Sequence, residues 1–267
     1  MAKKSPQSTG FILYFLWTAV ILFLVWVVVR TFLGPRFFLG QTESFETNVP
    51  IDYYVIHHRP NLVRAQNIEA QTHLLGKPIA IFDAVYGKDL DTTRLTDFDA
   101  SLNVTYHHAN KNRYGCYLSH LMLVKAQMAK SQTAKSQTAN EGYTVVFEDD
   151  FRILDADLDA KIRDIVHAVG TDAELIYLGN LNDNHGDVVD ADTHVYRVHP
   201  DQDFWGTHAY IIRNASLPNI HRLLLDMDTE IDHKYAHLIR DGHLTGYVLW
   251  PVLVSVTGGE SIIEEST

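Results

Sequence analysis

An α/β domain with a mostly parallel sheet is the fold that this sequence predicts. Short apolar runs of strand length alternate with helical apolar patterns, and the connections between them are short. The single cysteine, Cys116, leaves no intramolecular disulfide, so the fold must rest on its core. At 267 residues the chain is long enough to bury a substantial one.

The first element stands apart from that domain. Phe11 to Val29 is a 19-residue run without charge, about 29 Å long as a helix, enough to cross a bilayer core. Trp17 and Trp26 and the flanking Lys3, Lys4, Arg30 and Arg36 suit interfacial anchoring. The run ends in Val-Val-Val-Arg-Thr-Phe-Leu, which offers no small-residue cleavage site, so residues 11–33 read as an uncleaved transmembrane anchor. Residues 1–10 are then a short cytosolic tail, with the bulk of the chain across the membrane. That arrangement fits the Golgi or ER, and equally a bacterial or viral membrane. Gly34, Pro35, Gly40 and the polar Gln41-Thr42-Glu43-Ser44 mark residues 34–50 as a stem, which leaves 51–267 as the globular domain.

Within that domain Tyr53 to Ile56 reads as a strand. Pro60 opens a helical pattern through Leu62, Ala65, Ile68 and Leu75, closed by Gly76. Pro78 to Phe82 is the next strand, and Gly115 to about Met128 carries a helical pattern. Ala129-Lys130-Ser131-Gln132-Thr133 is then repeated at once as residues 134–138, a tolerated insertion. Tyr143 to Phe147, Leu175 to Leu178 and Thr207 to Ile212 follow as strands. Leu217 to Leu225 and His233 to Ile239 follow as helices.

Charge narrows the function. The net charge is −11, and the first 36 residues hold four basic side chains and no acid, so the remainder carries −15. A domain this acidic is a poor partner for nucleic acid.

Glu148-Asp149-Asp150 closes the apolar run Tyr143 to Phe147. Alternation along a strand puts Glu148 and Asp150 on one side and Asp149 on the other. Two carboxylates at a strand end suit a hard cation, Mg²⁺ or Mn²⁺, that also holds phosphate oxygens; the competing reading is an acidic surface turn. Cys116 has His120 at an i+4 spacing, but nothing else marks it as activated, and a buried structural thiol is the reading preferred. The fifteen histidines form no evident zinc site, since the adjacent pairs His57-His58 and His107-His108 diverge on a strand.

Seven segments fall in a distinctive order. They are Tyr54-Val55-Ile56 with Arg59 and Arg64; Ala84-Val85-Tyr86-Gly87; Gly115-Cys116-Tyr117-Leu118-Ser119-His120; Val145 to Asp150; Leu175-Ile176-Tyr177-Leu178-Gly179; Gly206-Thr207-His208-Ala209-Tyr210; and Glu230-Ile231-Asp232-His233. The series resembles glycosyltransferase family 25, which includes lipooligosaccharide glycosyltransferases and collagen galactosyltransferase domains, over roughly residues 52–240. The resemblance implies a GT-A-like nucleotide-sugar-binding domain in which Mn²⁺ or Mg²⁺ meets the diphosphate of a UDP-sugar.

By that resemblance Glu148 and Asp150 hold the metal and the nucleotide sugar. Asp149 shares the role and stands with Asp232 among the catalytic candidates. Asp232 is the candidate base for the acceptor hydroxyl, or else a helix N-cap. Ser119 and His120 are nucleotide contacts or a hydrogen-bonded core pair. The chain departs from the family pattern at His57-His58-Arg59-Pro60, where the arginine stands one position early, at Tyr86, and at Thr229-Glu230-Ile231. Arg64 is therefore the candidate for the nucleotide side.

The function expected is a membrane-anchored hexosyltransferase moving galactose or glucose from a UDP-hexose to a glycan or glycoprotein. Its partners are that donor, that acceptor and, through the N-terminal helix, a membrane. A catalytically silent glycan-binding or scaffolding protein of the same fold and a metal-dependent phosphohydrolase are the alternatives.

Overall fold

The computed structural model describes residues 49–133, 141–182, 184–199 and 204–258. The expected tail (1–10) and anchor (11–33), the stem up to residue 48 and the second pentapeptide copy lie outside the described residues. Among the described residues no helix is long and apolar enough to cross a membrane.

In chain order the domain comprises β1 (Ile51–His57), α1 (Leu62–Leu75), β2 (Ala80–Asp83), β3 (Asn103–Val104), α2 (Lys111–Thr133), β4 (Tyr143–Glu148) and β5 (Phe151–Ile153). Then come α3 (Leu158–Val169), β6 (Leu175–Tyr177), β7 (Val188–Asp190), β8 (Val195–Arg197), β9 (Ala209–Arg213) and α4 (Leu217–Leu224). The last elements are β10 (Asp226–Met227), α5 (Ile231–Arg240), β11 (Gly246–Leu249) and β12 (Val254–Val256). Helix α1 starts where the Asn61 side chain accepts the Arg64 N–H, and stops at Gly76, whose φ of 66° ends it in a left-handed cap.

Eight strands form the main sheet, in the order β2-β1-β4-β9-β6-β11-β8-β7. The expectation of a mostly parallel sheet needs correction. β1 pairs parallel with β2 and β4, and β6 with β11, but β9 runs antiparallel to both β4 and β6, and β8 antiparallel to both β11 and β7. The sheet is mixed. A strand buried on both faces, as Ala209-Tyr210-Ile211-Ile212 is, carries the same apolar run in either direction. Direction is set by how the chain enters the sheet, and the run itself does not record it.

Side-chain alternation splits the core in two. Val146, Tyr210, Ile212 and Val248 join one cluster with residues of α2, α4 and α5. Val145, Phe147, Ala209, Ile211 and Leu249 join the other, with residues of α1 and α3. Helices therefore cover both faces of the sheet. Phe147 is fully buried; truncating such a ring to alanine costs about 3–5 kcal/mol.

Two glycines bring two of the sequence segments together. A Cβ on Gly115 would lie 2.6 Å from the Val85 carbonyl oxygen and 2.8 Å from the Gly87 nitrogen; one on Gly87 would lie 2.3 Å from the Asn112 Cα. Only residues without side chains let α2 pass this close to residues 85–87.

Candidate active site

Two parallel strand ends found the site. β1 and β4 pair with Ile56 opposite Glu148, so His57 and Asp149 leave the sheet side by side. His57 Nδ1 lies 2.8 Å from Asp149 Oδ2. β4 ends at Glu148, and Asp149-Asp150 turn into β5, so strand alternation stops before the triplet is complete. Helix α1 fastens that turn: Asn67 Nδ2 donates to the carbonyls of Asp149 (3.1 Å) and Phe151 (2.9 Å).

All three carboxylates line one pocket, together with Arg64, His58, Tyr86, Ser119 and His120. Glu148 and Asp150 also line a second pocket, with Arg113, Thr207, Glu230 and Asp232, and Asp149 does not. The expected placement of Asp149 on the opposite side from Glu148 and Asp150 does not hold, because the turn brings all three to the first pocket; only the second pocket leaves Asp149 out. Cys116 lines both pockets as well.

Arg64, buried near the start of α1, places Nη1 3.4 Å from Asp150 Oδ2 and Nε 3.8 Å from Asp149 Oδ1. Its Nη1 also donates to Thr257 Oγ1 at 3.3 Å. Arg59 stays outside, 60% exposed and paired with Asp83. The departures at His58 and Tyr86 meet each other, their rings stacked 4.1 Å apart at 12°.

Glu148 Oε1 accepts a 2.7 Å hydrogen bond from Thr207 Oγ1 and lies 3.3 Å from His120 Nε2. Burial alone would raise its carboxyl, but the hydrogen bond and charge of His120 and the hydrogen bond of Thr207 outweigh it, holding Glu148 below the ordinary carboxylate range. It therefore stands ready as an anion. Ser119 spends its hydroxyl on the fold, accepting the Val85 N–H at 2.9 Å and donating to the Gly115 carbonyl at 2.7 Å. It orders the pocket wall. Burial, with the negative charges of Glu148 and Asp232, pushes the Cys116 thiol far up, so its surroundings do not activate it as a nucleophile.

Asp232 sits in the first turn of α5, whose N-cap position is Glu230, and its Oδ1 accepts the His233 N–H at 2.8 Å. The N-cap alternative is dropped. Glu230 is held by Arg113 and by the Tyr106 hydroxyl, the latter at 3.1 Å.

Do these residues fit a hard cation? Asp150 Oδ1 is buried and receives no hydrogen bond among the described residues, an arrangement that costs about 1–3 kcal/mol unless something positive meets it. The first pocket is lined by three carboxylates and one guanidinium, and carboxylate oxygens are the donors that Mg²⁺ and Mn²⁺ prefer. The residues fit.

Sequence reasoning passed over His57, Thr207, Tyr210 and Arg113 as site residues. Thr207 and Tyr210 lay inside a segment singled out by its pattern. His57 ends a strand parallel to β4, which is where such sheets collect ligands. Arg113 carried no signal.

A family model described as "Glycosyltransferase family 25 (LPS biosynthesis protein)" matches residues 51–234 of this chain. No curated protein matches it. Among solved structures it is similar to "Crystal structure of a glycosyltransferase involved in the glycosylation of the major capsid of PBCV-1", at a TM-score of 0.41 and 8% identity, over 79% of this chain and 94% of that one.

Proposed function

Because the chain belongs to glycosyltransferase family 25, we propose that it transfers a hexose, galactose or glucose, from a UDP-sugar to a hydroxyl of a glycan or glycoprotein. The observation that carries this reading is the shared wall of the two pockets, formed by Glu148, Asp150 and Cys116. The pocket with Arg64, Ser119 and His120 takes the nucleotide sugar. The pocket with Asp232 takes the acceptor.

A UDP diphosphate is itself an anion, and it would enter beside three carboxylates balanced by one arginine. Glu148 and Asp150 are the residues that would hold Mg²⁺ or Mn²⁺, which when bound supplies positive charge against the diphosphate leaving group. Asp149 anchors Arg64 and His57 and acts as a positioning residue. Asp232 takes the proton of the acceptor hydroxyl as its oxygen bonds to the anomeric carbon; the bond to UDP breaks, and UDP departs with the electron pair. Anchoring through residues 11–33, with the N-terminus cytosolic, belongs to the same proposal, and resistance of the membrane-bound chain to alkaline extraction tests it.

A panel of UDP-sugars with Mn²⁺ or Mg²⁺ tests the chemistry. Metal-dependent UDP release that rises with a sugar acceptor is expected. Release from no donor, with metal binding intact, would leave a silent glycan-binding protein; cleavage of phosphate esters without transfer would make it a phosphohydrolase.

A further inference from the structure

The i, i+4 spacing of Cys116 and His120 puts both side chains on one face of α2, and that face meets the end of β4. The Cys116 sulfur, a His120 ring nitrogen and a Glu148 carboxylate oxygen all lie within 4.8 Å of one another. His120 Nε2 and Glu148 Oε1 are 3.3 Å apart, close to the edge of a tetrahedron whose metal–ligand bonds are about 2.0–2.2 Å. Sulfur bonds are longer, about 2.3 Å, so the thiol needs the least close approach.

A second feature points the same way. The other ring nitrogen, His120 Nδ1, is 2.7 Å from the buried Tyr210 hydroxyl. A metal-ligating imidazole is oriented by such a partner on its far nitrogen. Thiol and imidazole select borderline or soft ions, whereas Glu148 and Asp150 select hard ones.

We propose that Cys116, His120 and Glu148 form a three-ligand site for a borderline divalent cation, Zn²⁺ above all, with the fourth position open to the pockets. The three side chains line the first pocket, and Cys116 and Glu148 line the second, so the ion enters from solvent and takes a water molecule as its remaining ligand. The sulfur–metal bond forms as the thiol proton passes to solvent, with no change of oxidation state. Glu148 is drawn away from Asp150 when it holds this ion, so Zn²⁺ opposes Mn²⁺. That inhibition rests on the transferase reading above; the binding does not.

The test is titration of the full chain, in mild detergent and stripped by a chelator, with Co²⁺ and then Zn²⁺. Thiolate-bound Co²⁺ absorbs in the near ultraviolet, and Zn²⁺ displaces it. One equivalent is expected. Cys116→Ser should lack the absorption and bind Zn²⁺ about 100-fold or more weakly, and Tyr210→Phe about 10- to 100-fold more weakly. Circular dichroism checks both folds, and Cys116→Ser decides if Tyr210→Phe unfolds. No absorption in the parent, or Cys116→Ser binding Zn²⁺ as tightly as the parent, overturns the site and leaves scattered histidines as the ligands. One-to-one Zn²⁺ binding in a protein that transfers no sugar upholds the site and counts against the transferase reading alone.

Discussion

Thr207 Oγ1 donates a 2.7 Å hydrogen bond to Glu148 Oε1 across the point where β4 ends and β9 begins. The antiparallel pairing makes this possible, since the Glu148 N–H bonds the His208 carbonyl at 3.0 Å and so draws the start of β9 beside the carboxylate. Thr207→Val keeps the shape and removes the donor. Transfer should fall about 10- to 100-fold, with stability lowered by about 1–3 kcal/mol. Thr207→Ser should recover most of both. Steady-state kinetics with urea unfolding decides, and a fully active valine variant would show that Glu148 needs no such support.

Arg64 and Arg59 are five positions apart and should behave oppositely. Arg64→Lys replaces a planar fork near two aspartates with a single point charge. Unfolding free energy should drop by about 1–3 kcal/mol and the donor KM should rise. Arg59→Ala, on an exposed pair with Asp83, should change stability by about 0.5 kcal/mol or less. Equal effects from the two substitutions would contradict the placement of Arg64.

Asp150→Asn removes one charge and leaves the shape of the turn. Transfer should fall about 10²- to 10³-fold or more, and Mn²⁺ affinity with it, while Tm stays close to that of the parent. Near-normal turnover in this variant would remove Asp150 from the metal pair.

Acid stability should depend on Asp159, on the face of the sheet away from α2. Burial would raise its carboxyl, but the Tyr53 hydroxyl at 2.6 Å, with Arg163 and Lys77, holds it below the usual range. A depressed folded value means that the ionised group stabilises the fold above its unfolded pKa of about 3.9, and loses that contribution as pH falls through the folded value. Denaturant midpoints of the parent and Asp159→Asn should be far apart at pH 7 and converge below about pH 4. A constant gap would mean that Asp159 is not the group titrating.

Much of the pocket around Glu148 and Asp150 is legible in the chain. Glu148 and Asp150 follow an apolar strand, and Asn61 and Gly76 bound the helix that carries Arg64. The amphipathic α3, with Leu158, Ile162, Ile165, Val166 and Val169 buried, is readable from its spacing. Strand direction was not readable. Ala209 to Ile212 is apolar throughout, so nothing local says that β9 runs backward, and the approach of Thr207 to Glu148 depends on that reversal. The three-residue strands β7, β8 and β12 are too short for alternation to register.

The bond from Arg64 to Thr257 spans 193 positions of chain, and the Thr257 N–H in turn bonds the Asp150 carbonyl at 2.7 Å. On the ribosome, where chains emerge amino end first, the arginine is therefore made long before the residue that helps to hold it. The carboxylate cluster waits, incompletely braced, until β12 is synthesised and docks on β5. Any ligand of the cluster arriving during synthesis would find it half braced, so binding there should appear abruptly, only once β12 has docked.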